Sequence, residues 1–146
     1  MGDDTAKDGP VEPDNRRQLL SYLAGFFDGE GCILARKRGN SAELALDVTQ
    51  VSTEPLSMFC EEFGGAVTTQ YRGTEVIYRW RLYGRARIQL ALQELLPYLR
   101  VKREQARLAL ELIFALPPSE NRSPIGSQKS KLVHRLVDRI IRLKRT

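Results

Sequence analysis

The sequence predicts an α+β domain, with one antiparallel four-stranded sheet backed on its apolar side by helices and followed by a helical tail. Three observations carry this expectation. Residues 32–50 and 66–83 alternate apolar and polar side chains around short turn sequences, the pattern of hairpins with one buried face. Five other stretches carry apolar residues at helical spacing. The length, 146 residues, suits one domain around a single core.

Taken in order, residues 1–13 (MGDDTAKDGPVEP) have almost no large apolar side chains and are expected to form a disordered leader. Asp14 or Asn15 is placed to cap a helix over about 15–28, whose apolar run is Leu19, Leu20, Leu23, Phe26 and Phe27. In the first hairpin, Leu44, Leu46 and Val48 point one way and Glu43, Ala45, Asp47 and Thr49 the other, with Gly39-Asn40-Ser41 as the turn. Thr53 is expected to cap a second helix. Pro55 stands in its first turn, Leu56, Phe59 and Phe63 on its core side, and Gly64 at its end. The second hairpin turns at Arg72-Gly73-Thr74; Tyr78, Trp80 and Leu82 share one face, Arg79 and Arg81 the other. Helices follow over about 85–96, stopping before Pro97, and 102–115, stopping at Pro117-Pro118. After a Pro-, Ser-, Asn- and Gly-rich stretch, a last helix over about 129–143 carries the apolar stripe Leu132, Val133, Leu136, Val137, Ile140 and Ile141. Its opposite face is basic and available to phosphate. The expected organisation is a leader (1–13), a core (14–116), and a loop with a C-terminal amphipathic helix (117–146).

Composition narrows the partners. Lys plus Arg outnumber Asp plus Glu by 23 to 18 and the pI is about 9.5, a balance that suits a polyanion. Cys32 and Cys60 lack any CxxC spacing, so neither a disulfide framework nor a zinc site is expected. His134, the sole histidine, lies in the tail and is not expected to bind metal. No apolar run approaches the ~20 residues of a membrane span. The acidic N-terminus resembles neither a secretory signal nor a transit peptide. The expected location is intracellular, in bacterial or archaeal cytoplasm or an organelle.

The polar strand faces have a pattern of their own. Arg36 and Arg38 alternate on the first strand and Arg79 and Arg81 on the fourth, and Thr69 and Tyr71 are expected to join them from the third. With Asp47 and Thr49 they form a candidate DNA-binding set. Arginine reads guanine bidentately, a carboxylate accepts from the cytosine amine, and a β-ribbon enters a major groove.

Residues 23–31 read L-A-G-F-F-D-G-E-G. Gly25 and Gly29, four apart, let two helix backbones approach closely. A helix that docks on a partner and ends in a carboxylate puts that charge at the base of both. Two such carboxylates repel unless a divalent cation with a preference for oxygen ligands sits between them.

On these residues the chain resembles the LAGLIDADG homing endonucleases, from about residue 19 to 116. L-A-G-F-F-D-G-E-G matches the signature helix, V-T-Q at 48–50 the end of the second strand, and L-P-Y-L-R-V-K at 96–102, followed by Arg103, Glu104, Gln105 and Ala106, the segment with the basic residue near the scissile phosphate. The resemblance implies the αββαββα fold with a saddle-shaped sheet on DNA. It implies Mg²⁺ or another divalent metal held by Glu30 with the Gly29 carbonyl, water positioned by Gln50, and Lys102 as the basic catalytic group. A single motif implies a homodimer with Leu23, Gly25, Phe26 and Gly29 at the twofold axis. The implied product is a double-strand break with short 3′ overhangs at a long pseudo-palindromic site, made by an intron- or intein-encoded enzyme. Asp28 is assigned to hydrogen bonding around the helix ends rather than to metal. One position departs: Glu54 stands where relatives carry a basic residue. Either Arg100 or Arg103 substitutes or the site is weaker, and an acid in a first helical turn also favours the helix dipole. Two other classes compete: a non-catalytic intron RNA maturase or DNA-binding regulator on the same scaffold, and a small protein-interaction domain with a basic surface.

Overall fold

A computed structural model describes residues 13–117 and 125–144. The expected leader falls outside it except for its last residue, and so does most of the 117–128 stretch. The elements are α1 (Pro13–Glu30), β1 (Gly31–Arg38), β2 (Ser41–Gln50), α2 (Thr53–Phe63), β3 (Ala66–Arg72), β4 (Glu75–Tyr83), α3 (Arg85–Leu95), a 3₁₀ turn (Leu96–Tyr98), α4 (Arg103–Ala115) and α5 (Ser127–Lys144). The four strands form one antiparallel sheet in the order β1-β2-β4-β3.

The inner face of the sheet is built by alternation. Ile33, Leu46 and Leu82 lie side by side across three strands and Val48 beside Trp80 across two, and all five are fully buried. α1 covers this face with Leu20, Leu23, Ala24 and Phe27, residues spaced three and four apart. α2 adds Leu56 and Phe59, and the Phe59 ring stacks on Trp80 with centroids 4.9 Å apart. The indole N–H of Trp80 donates to the Gly64 carbonyl at 2.8 Å, satisfying the one polar atom of that core side chain. Gly65 follows with φ +88°, and a Cβ there would sit 2.5 Å from the Arg81 carbonyl oxygen, so only glycine fits the start of β3. The Arg16 guanidinium bonds Glu62 of α2 and Glu94 of α3, pinning three helices together.

Several local expectations are corrected. Pro13 already opens α1, where its missing N–H is no loss, so neither Asp14 nor Asn15 is the cap. Asp14 stands in the first turn, where its charge favours the dipole. Ser52, not Thr53, precedes α2, with no side-chain cap bond. α3 ends at Leu95, and Pro97 is accommodated in the 3₁₀ turn that follows. α5 buries Val133, Leu136, Val137 and Ile140 against the same core, while Leu132 of the expected stripe is 40% exposed. α5 is tied to the first hairpin by Lys37 with Asp138 at 3.0 Å and by His134 Nε2 with the Gly39 oxygen at 2.9 Å. Both cysteines are free and half-buried. No helix among the described residues is long and apolar enough to cross a membrane.

Candidate active site and nucleic-acid interface

α1 runs into β1 without a loop, so the motif's last acid stands at the helix–strand junction. Gly31 pairs with Val48, and continuing that register by one residue sets Glu30 opposite Thr49, beside Gln50. Glu30 is exposed, and among the described residues it has no hydrogen-bond or ion-pair partner. Gly29, also exposed, lies in the last turn, where helix carbonyls lack intrahelical partners. Gln50 is half-buried at the end of β2. Its Oε1 accepts from the Val51 N–H at 2.8 Å, which leaves its amide N–H groups as donors.

Lys102 is brought to the same place from far along the chain. It precedes α4 as its N-cap residue. Its Nζ donates to the Asp28 carbonyl at 2.8 Å, two residues from Glu30. The Asp28 carboxylate accepts from the Lys102 backbone N–H at 2.9 Å and from that of Arg100 at 2.8 Å. Arg103 folds back so that its Nε donates to the Leu99 carbonyl. Glu54 is exposed in the first turn of α2, suited to the dipole.

An oxygen-ligated cation fits this donor set: an exposed, unpaired carboxylate and a free last-turn carbonyl. Among the described residues no three His, Cys, Asp or Glu side chains come together.

The outer face of the sheet carries Arg36 and Arg38 of β1, Asp47 and Thr49 of β2, and Arg79 and Arg81 of β4, as expected from alternation. Asp47 pairs with Arg81 and Thr49 with Arg79 across the strands. Asp47 is only 9% exposed. It accepts from Arg81 Nη2 at 2.6 Å and so is engaged with that arginine, while Arg79 Nε lies 4.0 Å away with no hydrogen-bond partner among the described residues. Arg81 also donates from Nη1 to the Tyr83 hydroxyl at 3.2 Å. The Tyr83 bond first, and then Asp47, raise its pKa further. Glu43 bridges Arg36 and Arg38 at 3.0 and 2.8 Å, and chiefly the Arg36 bond holds its carboxyl below the usual range.

The placement of Thr69 and Tyr71 is corrected. β3 and β4 join through the two-residue turn Gly73-Thr74, which pairs Arg72 with Glu75, hence Thr69 with inward-facing Tyr78 and Tyr71 with Val76. Both therefore lie on the face opposite the arginines. The residues of β3 on the arginine face are Ala66, beside Arg81, Thr68, beside Arg79, Gln70 and Arg72. Counting outward from the turn would have found them. Tyr83, which follows Leu82 and so faces outward, was missed for want of any charge.

The expected twofold face is corrected too. Leu23 is fully buried in its own protomer's core and cannot meet a second copy. Tyr22, Gly25 and Gly29 form the exposed stripe of α1, with half-buried Phe26 beside it, its ring 6.0 Å from that of Tyr22. A Cβ at Gly25 or Gly29 would meet nothing within 4 Å.

A motif helix entering the first strand of a four-stranded antiparallel sheet, with helices on one side and arginines on the other, defines a sheet-based DNA-binding nuclease scaffold. The chain belongs to the LAGLIDADG homing endonucleases. It is 30% identical over 123 residues to the DNA endonuclease I-CvuI of Chlorella vulgaris, covering 77% of this chain and 76% of that protein. To the DNA endonuclease I-CreI of Chlamydomonas reinhardtii it is 32% identical over 113 residues, covering 71% and 68%. A crystal structure of I-CvuI with the I-CreI DNA target and 2 mM Mg, the DNA uncleaved, superposes with a TM-score of 0.70 at 27% identity over 88% of this chain and 83% of that one. The archaeal intron-encoded endonuclease I-Vdi141I on DNA gives a TM-score of 0.70 at 16% identity, over 87% of this chain and 84% of that one, and speaks for the fold alone. No family model matches the chain.

Proposed function

We propose that the protein is a homodimeric, Mg²⁺-dependent endonuclease that cuts double-stranded DNA at a long pseudo-palindromic site and leaves short 3′ overhangs, encoded within an intron or intein. The observation that carries this reading is Glu30: a solvent-facing, unpaired carboxylate at the end of the glycine-bearing helix, with Lys102 anchored two residues away. The organisation proposed is a segment over 14–116 and a C-terminal segment over 117–146, whose helix packs its apolar side into the same core.

Each group has a role its geometry allows. Glu30 and the Gly29 carbonyl of each protomer would hold the cation, the twin helices supplying the two carboxylates that one copy lacks. Mg²⁺ bound there would supply Lewis acidity and a water of lowered pKa for phosphodiester hydrolysis. Gln50, its oxygen engaged with Val51, keeps its N–H groups to orient the attacking water. Lys102 uses one N–H on the Asp28 carbonyl and keeps two for the scissile phosphate. Arg100 and Arg103, flanking Lys102, bring the positive charge that Glu54 does not.

Each sheet would read one half-site in the major groove. Arg36, Arg38, Thr49, Arg79 and Arg81 would face the bases, with Asp47 as the group that orients Arg81. Thr68 and Gln70 replace Thr69 and Tyr71 in this set.

Glu30→Gln tests the reading. The variant is expected to bind the cognate duplex in Ca²⁺ as wild type does and to leave it uncut in Mg²⁺, on gels of DNA spanning the host insertion site. A fully active variant would refute the assignment, and a wild-type protein that holds the site without cutting it in Mg²⁺ or Mn²⁺ would favour the non-catalytic binder.

A further inference from the structure

The motif's inner acid, Asp28, has no part in the chemistry just described, yet it makes the most concentrated set of long-range bonds at the site. Both carboxylate oxygens are engaged, one by the Arg100 N–H at 2.8 Å and one by the Lys102 N–H at 2.9 Å. The Lys102 N–H stands at the start of α4, where helix donors have no intrahelical acceptor. The backbone of the same residue then accepts from Lys102 Nζ at 2.8 Å. Asp28 thus grips Lys102 at both ends, main chain and ammonium, across 74 residues of sequence.

This arrangement is more than a helix cap. A lysine carries four rotatable bonds, and an ammonium left to solvent samples many positions. Here the main chain of Lys102 is fixed to the carboxylate, and its tip to the carbonyl, of one residue in the last turn of α1. That turn also carries Glu30. Lys102 Nζ and the backbone that carries Glu30 are therefore referenced to the same helix end.

We propose that Asp28 is a positioning residue for cleavage: it touches neither metal nor DNA and acts by holding the Arg100–Lys102 segment so that Lys102 Nζ is registered against Glu30. This rests on the endonuclease reading above. An asparagine at position 28 has one acceptor oxygen and turns an amide NH2 donor toward the other backbone N–H, so one of the two bonds is lost. Asp28→Asn is expected to bind cognate DNA in Ca²⁺ within about twofold of wild type and to cut roughly 10- to 100-fold more slowly, the scale of a small misplacement of a reacting group.

The discriminating measurement is a double-mutant cycle in single-turnover cleavage. In a Lys102→Met background the Asp28→Asn change is expected to have almost no further effect, because the group it positions is gone. The Mg²⁺ concentration for half-maximal rate is expected to stay put, and amide exchange at Arg100 and Lys102 to quicken. Additive losses in the cycle, or a higher Mg²⁺ requirement marking Asp28 as a ligand, would overturn the assignment. Loss of DNA binding by both Asp28→Asn and Asp28→Ser would overturn it as well, making Asp28 a fold residue. A wild-type protein inert on its site, with Lys102→Met no different, would sink the endonuclease reading itself and this inference with it.

Discussion

Arg81 shows how little of a side chain's role follows from its type. On the strand face it is one of four alternating arginines, but its Nη2 lies 2.6 Å from Asp47 and its Nη1 donates to Tyr83. A guanidinium held on both sides presents its fork in one orientation, which is what bidentate reading of guanine needs. The pair is largely shielded, with side-chain exposures of 30% and 12%, so Asp47 is structural support for its neighbour. Asp47→Asn is expected to leave the fold intact and to reduce discrimination at the base pair Arg81 faces by about tenfold, the scale of one bidentate contact. Binding to a panel of single-base-pair target variants would check this, and unchanged preference at every position would count against it.

At the scale of the element, the register of β3 decides which of its residues share the arginine face, the face proposed to meet DNA. The strand is short and its residues mostly exposed, so hydrophobicity marks its faces weakly. The turn marks them strongly. Two residues, Gly73 at φ +64° and Thr74, close the hairpin, and a two-residue loop leaves one register. Thr68→Ala and Gln70→Ala are expected to shift base preference, whereas Thr69→Ala and Tyr71→Ala leave it unchanged. Comparing the four variants on one target panel checks the assignment, and the reverse pattern would mean that the tip of the hairpin turns its other face to the groove. α1 teaches the same lesson. Its apolar residues divide between two surfaces, Leu20, Leu23, Ala24 and Phe27 inward and Tyr22 outward. The spacing of Leu23 with Phe27 and with Leu19 was the available sign that Leu23 belongs to the protomer's own core.

At the scale of the whole molecule the proposed site requires two copies. The exposed stripe of α1 has room for a partner: a side chain at Gly25 would meet nothing of its own protomer. Leucine is also a better helix former than glycine, by up to about 1 kcal/mol. Gly25→Leu is therefore expected to yield a protomer at least as stable as wild type in thermal unfolding, while sedimentation shows the dimer lost and cleavage falls with it. A Gly25→Leu dimer that still cuts would place the twofold axis elsewhere.

Element types and order were legible in the sequence because alternation and helical spacing are local properties of neighbouring residues, and the two hairpins and five helices follow from them. The motif L-A-G-F-F-D-G-E-G marked the residues that gather at the end of α1. Three placements were decided by the tertiary structure. Leu23 faces inward because α1 lies over the sheet; Thr69 and Tyr71 turn away from the arginines because strand pairing sets their face. Lys102 meets the end of α1, where it bonds Asp28, because α4 starts beside that end in the folded chain. The spacing of Leu23 and the length of the β3–β4 turn hint at the first two, but nothing local along the chain encodes bonds made across 74 residues.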